Sequence, residues 1–149
     1  LSAAETYTED TALNLTDIVI SDVDSASVTA TLTLSNVAAG SLNTGTSGAV
    51  TSTYNAGTGV WTASGAIADV NALLAGLTFT PALNFNSNFT IATSVSDGVA
   101  APITVSKVMP GTAVNDSFFF NDTATTEIYT EDTALNLIDI VVSDVDFFF

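Results

Sequence analysis

The chain has 149 residues, 47% of them hydrophobic, with sixteen acids against one base, Lys107, and a formal net charge of −15. Without clustered Lys and Arg to displace counterions, nucleic acid is excluded as a partner, and cations are the natural complement of such a surface. The chain contains neither cysteine nor histidine, which excludes disulfide staples, thiolate chemistry and the usual zinc sites.

In chain order, residues 12–20 and 27–35 (SVTATLTLS) read as strands, the second with Val28, Ala30, Leu32 and Leu34 on one face. Residues 49–54, a turn over 55–59 and a strand over 60–63 form an expected hairpin. Over 66–77 (AIADVNALLAGL) the period changes: Ile67, Val70, Leu73, Leu74 and Leu77 recur at helical spacing, with Asp69 in the first turn, where a negative charge suits the helix dipole. Residues 88–96 (NFTIATSVS) return to alternation, with Phe89, Ile91, Thr93 and Val95 on one face, and 101–108 supply a closing strand. Tyr54, Trp61, Phe79, Phe85 and Phe89 form no evenly spaced row and are assigned to the core. The class that results is all-β: a Greek-key β-sandwich over residues 5–116 with one short helix, its first and last strands at opposite poles. No apolar run approaches the ~18 residues of a membrane helix, and no signal peptide is read at Leu1.

Residues 8–24 read TEDTALNLTDIVISDVD and residues 130–146 read TEDTALNLIDIVVSDVD, an offset of 122 with two differences in seventeen, Thr16 against Ile138 and Ile20 against Val142. That offset is far longer than a solenoid unit and close to one small domain. The expected organisation is one module over 1–116, then a linker and the opening strands of a second, truncated module over 117–149. Residues 118–130 (FFFNDTATTEIYT) resemble the in-frame translation of a sequencing-library adapter, and Phe147–Phe149 are of the same kind, so no function is read from either.

The acids gather where strands begin and end: Glu9 and Asp10 early, Asp22-Val23-Asp24, Asp97-Gly98, and Asn115-Asp116 in the linker. Carboxylates, amides and carbonyls are the oxygen ligands that Ca²⁺ takes in sixes to eights. An EF-hand is excluded, because a loop counted from Asp22 has Ser27 where glycine is required and Thr33 where glutamate is.

On these motifs the chain resembles the cadherin-like tandem repeats of large bacterial surface and secreted adhesins of the repeats-in-toxin type. The opening glutamate followed by D-x-D (Glu9, Asp22, Asp24), the terminal Asp97-Gly98, and the linker AVND (113–116) carry the resemblance. It implies an immunoglobulin/cadherin-like sandwich with structural Ca²⁺ at module junctions. Glu9, Asn115 and Asp116 would meet the next module's Asp144 and Asp146. Asp22, Asp24 and Asp97 would belong to the opposite pole. Two departures reduce ligand charge: Ala113 replaces the linker's first aspartate, and Asn84 and Asn86 stand where the family's acidic motif would be. The implied function is a non-enzymatic, extracellular, calcium-stiffened repeat at the bacterial cell surface. Its partners are neighbouring modules of the same chain and a cell-surface or matrix ligand, without membrane insertion. The alternative is a carbohydrate-binding module presenting Trp61 and Tyr54. A glycoside hydrolase built on a carboxylate pair is disfavoured by the small size, the repetition and the lack of His, Cys and Arg.

Overall fold

The computed structural model describes residues 4–15, 18–116, 119–122, 130–134 and 140–143, which fall into two compact units, Leu1–Ala113 and Val114–Phe149. Period-two alternation builds the larger sheet of the first unit. Strand β3 (Ser27–Leu34) buries Val28, Ala30, Leu32 and Leu34 and turns the intervening residues outward. The named elements around it are β1 (Tyr7–Thr8), β2 (Leu13–Asn14), β4 (Gly40–Leu42), β5 (Thr46–Ser47), β6 (Val50–Thr51), β7 (Thr53–Asn55), β8 (Val60–Ala66), helix α1 (Ile67–Ala75), β9 (Thr78–Pro81), β10 (Phe89–Ser96), β11 (Ile103–Met109) and β12 (Gly111–Thr112). The five-stranded antiparallel sheet has the order β11-β10-β3-β8-β7. Its inner face follows from the register, which places Leu32 opposite both Trp61 and Thr93, and Ile91 opposite Leu34 and Lys107.

A second layer, β2-β9-β4, closes over this face. Phe79 and Leu42, paired across it, are buried, and Val70 and Leu74 of α1 fill the space beside Trp61 and β3. Tyr7, Phe79 and Phe89 interlock through edge-on and tilted contacts, with centroids 4.9–5.6 Å apart. Such pairs add to the large apolar area each ring removes from water. Because β3 lies between β8 and β10, the chain must cross to the second layer and return between them. The unit is an all-β sandwich with one short helix.

Two expectations are corrected here. The first and last strands are neighbours rather than at opposite poles: β1 and β12 pair in parallel, with Glu5, Tyr7 and Glu9 N–H donating to the carbonyls of Val108, Pro110 and Thr112. Residues 110–112 therefore belong to the sandwich, and the chain divides after Ala113, three residues before the expected end of the module. Gly111 is fixed there by space, since a Cβ would lie 2.2 Å from the Asn86 carbonyl oxygen and 2.6 Å from the Tyr7 hydroxyl. The strand expected over 12–20 is reduced, among the described residues, to Leu13–Asn14. β9 is only four residues long and ends at Pro81. Beyond the ladder, the Asn71 side chain takes the place of a strand partner, accepting from Ile20 N–H at 2.9 Å and donating to Ile20 C=O at 2.8 Å.

The second unit contains a strand pair, β13 (Phe119–Asp122) and β14 (Ile140–Ser143), antiparallel with Phe119 opposite Ser143. It also contains a tight turn in which Thr133 N–H donates to Thr130 C=O and Asp132 has φ 62°. The matching turn of the first copy has the same form, Thr11 N–H to Thr8 C=O with Asp10 at φ 57°. Aspartate tolerates this left-handed conformation better than most residues, so the turn is encoded locally. The residues matching β14, 18–21, form no strand in the first copy.

Candidate cation site

Asp22 and Asp24 lie in the bends leading into β3, and Asp97 directly follows β10. Because β3 and β10 are antiparallel with Thr29 opposite Ser96, the entrance to one and the exit of the other share a pole. There the three aspartates each offer a carboxylate oxygen, all within 4.8 Å of one another. The D-x-D pair converges through a turn rather than by strand alternation. Asp22 Oδ1 accepts from Asp24 N–H at 3.1 Å and from Ser25 N–H at 2.8 Å. Asp97 Oδ1 accepts from Val99 N–H and Ala100 N–H, both at 2.9 Å, while Ser25 Oγ reaches Asp97 Oδ2 at 3.3 Å. Ser25 thus ties the two loops together.

These bonds separate the three titrations. The Ser25 and Asp24 amides stabilise the Asp22 carboxylate and lower its pKa, and the Val99 and Ala100 amides do the same for Asp97. Asp24 moves the other way. Its hydrogen bond to Asp22, and then the charge of Asp22, favour its protonated form and raise its pKa. The cluster therefore has two carboxylates that stay anionic to lower pH and one that holds its proton longer.

Glu9 is elsewhere. Its carboxylate is fully buried and accepts from Asn86 Nδ2 at 2.9 Å, and the neighbouring Asp10 Oδ1 accepts from Asn84 N–H at 3.0 Å. Asn86 precedes β10 and Asp97 follows it, and eight extended residues span about 26 Å, so Glu9 and the aspartate cluster occupy opposite ends of the sandwich. The asparagines at 84 and 86 now have a physical role. An acid at 86 would set a second carboxylate against buried Glu9, whereas an amide donates to it. Asn115 and Asp116 lie in the second unit, where Asn115 Nδ2 donates to the Asp116 carbonyl at 3.4 Å. Asp144 and Asp146 fall outside the described residues.

The sequence reading missed Ser25 as a clasp, Asn86 as the partner of Glu9, and the position of Lys107. This sole base is buried on the inner face of β11 and ion-paired with Glu5. Alternation placed Lys107 in register with Ile91, and that inward phase was the available signal. The aromatics follow the core assignment. Trp61, Phe79 and Phe89 are buried, while Tyr54 and Phe85 are half-buried against the core. Trp61 offers no exposed ring to a sugar; its indole N–H donates to the Asn43 carbonyl at 3.0 Å. No helix among the described residues is long and apolar enough to cross a membrane. No protein-family model, curated protein or solved structure matches the chain.

Proposed function

We propose that this chain is a structural repeat of a bacterial extracellular adhesin, related to the cadherin-like repeats, and that Ca²⁺ at the poles of its modules stiffens the array. The observation that carries this reading is the 122-residue recurrence of a seventeen-residue block in a chain whose first compact unit spans Leu1–Ala113. A unit plus a short linker accounts for the offset, as a tandem array requires. The convergence of Asp22, Asp24 and Asp97 at one pole supports a hard-cation role. The separate position of Glu9 at the other end supports ligand sets divided between two poles. In this reading the module performs no catalysis, its neighbours in the array are its partners, and its place is the bacterial cell surface.

Small-angle scattering on two joined copies of residues 5–126 tests it. The reading predicts a larger radius of gyration and a narrower distribution of lengths in millimolar Ca²⁺ than in chelator, and loss of that difference in Asp22→Asn/Asp97→Asn copies. Identical curves in Ca²⁺ and chelator would exclude calcium stiffening.

A further inference from the structure

We infer that residues 130–146 of one copy of this chain fit the seat that residues 8–24 occupy in the first unit of a second copy, so that the chain exchanges this segment between molecules. The seat recognises Leu15, Ile18 and Ile20, all buried. The second copy supplies Leu137, Ile140 and Val142 at the same spacing, differing at these three positions by one methylene group.

The backbone attachments of the seat are few and blind to the two substitutions. Thr8 pairs with Thr112 and Glu9 N–H donates to the Thr112 carbonyl, β2 pairs with β9 through Leu13 and Asn14 only, Leu15 N–H donates to the Leu77 carbonyl, and the Asn71 amide clasps the N–H and C=O of residue 20. Each of these bonds goes to main chain, so Val142 satisfies Asn71 as well as Ile20 does. Glu131 and Asp132 stand at the positions of Glu9 and Asp10, whose side chains bond to the 84–86 loop, and the turn carrying those acids already has the required form, with Asp132 at φ 62° beside Asp10 at φ 57°. Partner rather than sequence decides the rest of the segment. Ile140–Ser143 is a strand against Phe119–Asp122, whereas the matching 18–21 is held by Asn71 without forming one. Identical elements exchanged between copies are a low-cost route to dimers and a known hazard of repeat proteins. Tethering favours the resident segment at low concentration, and exchange rises with chain concentration.

The chain has no cysteine, so engineered pairs report occupancy directly. Asn14 lies opposite Thr78 in the β2–β9 pair, a separation that a disulfide spans. Its counterpart is Asn136. The full-length chain carrying Thr78→Cys and Asn136→Cys is refolded and oxidised at ~1 μM and at ~100 μM, a span over which tethered and intermolecular pairing compete, and analysed on non-reducing gels. A disulfide-linked dimer at least several-fold more abundant at the higher concentration, and removed by adding Leu137→Asp, is the expected result. The Thr78→Cys/Asn14→Cys chain, which should link as a monomer, verifies the geometry. A 78–136 link confined to monomers, or none at either concentration beside a fully linked control, would overturn the inference.

Discussion

Trp61 illustrates how a single residue is committed by its neighbours. Its ring is enclosed between β3 and α1, opposite Leu32, and its one polar group is satisfied by the Asn43 carbonyl. Trp61→Ala removes a large apolar surface and orphans that carbonyl, so a loss of about 3–5 kcal/mol is expected in urea unfolding; a variant that unfolds with the parent would place the ring outside the core. At the opposite extreme of exposure, Asp24 predicts a pH effect with a definite sign. Its pKa is raised by Asp22, while those of Asp22 and Asp97 are lowered by backbone amides. The stabilising contributions of Asp22 and Asp97 are present above the ordinary carboxyl range and are lost as pH falls through their depressed values. That of Asp24 is present in acid and is lost as pH rises through its raised value. If the cluster holds Ca²⁺ as proposed, a proton and the cation compete at Asp24, so calcium affinity should begin to fall on acidification while Asp22 and Asp97 are still charged. Carboxyl-carbon NMR titration should show Asp24 protonating first of the three; a reversed order would contradict the hydrogen-bond assignment.

Elements were legible in the sequence where one physical signal dominated. β3 and β10 announce themselves by strict alternation and bury the residues that alternation selects, Val95 at the end of β10 only partly. The helix expected over 66–77 forms at Ile67–Ala75, with Val70 and Leu74 buried, because a change of period from two to 3.6 is hard to mistake. The region 12–20 was not legible, because Leu15, Ile18 and Ile20 are buried while Val19 is exposed, and beyond Asn14 the Asn71 amide, not a strand partner, holds the chain. Likewise Pro110 and Gly111 look like a terminator, yet Gly111 is the tight contact that lets the last strand close on Tyr7 and Asn86. Lys107 joins these edge elements. On β11 and paired with Glu5 of the entering segment, it anchors the parallel contact between 4–9 and 108–112. Removing one member of a buried ion pair costs about 3–5 kcal/mol, so Lys107→Ala should lower the denaturation midpoint and raise amide exchange first in residues 5–9. Unchanged protection of those amides would show that the pair holds nothing in place.

For the whole molecule, the two poles of the sandwich matter more than its faces. The ligand candidates were legible as acids flanking strands, and the resemblance implied the grouping of Asp22, Asp24 and Asp97 that the fold makes; the local geometry that brings them together was not legible. That convergence comes from the turn that Ser25 clasps and from the antiparallel pairing of β3 with β10. Three carboxylates with several coordination positions left to water place the expected affinity in the weak extracellular range, Kd about 10⁻⁴–10⁻³ M. Binding to the folded unit alone adds roughly 1.4 kcal/mol at ten times Kd. The most direct test is thermal unfolding of the chain in 10 mM Ca²⁺ and in chelator, alongside the Asp22→Asn/Asp97→Asn variant. The reading predicts a melting temperature higher by roughly 5 °C with Ca²⁺ than in chelator, and a variant whose melting temperature is the same in both. A parent whose melting ignores Ca²⁺, with no heat of binding by calorimetry, would leave these aspartates as solvated turns and remove calcium from the account.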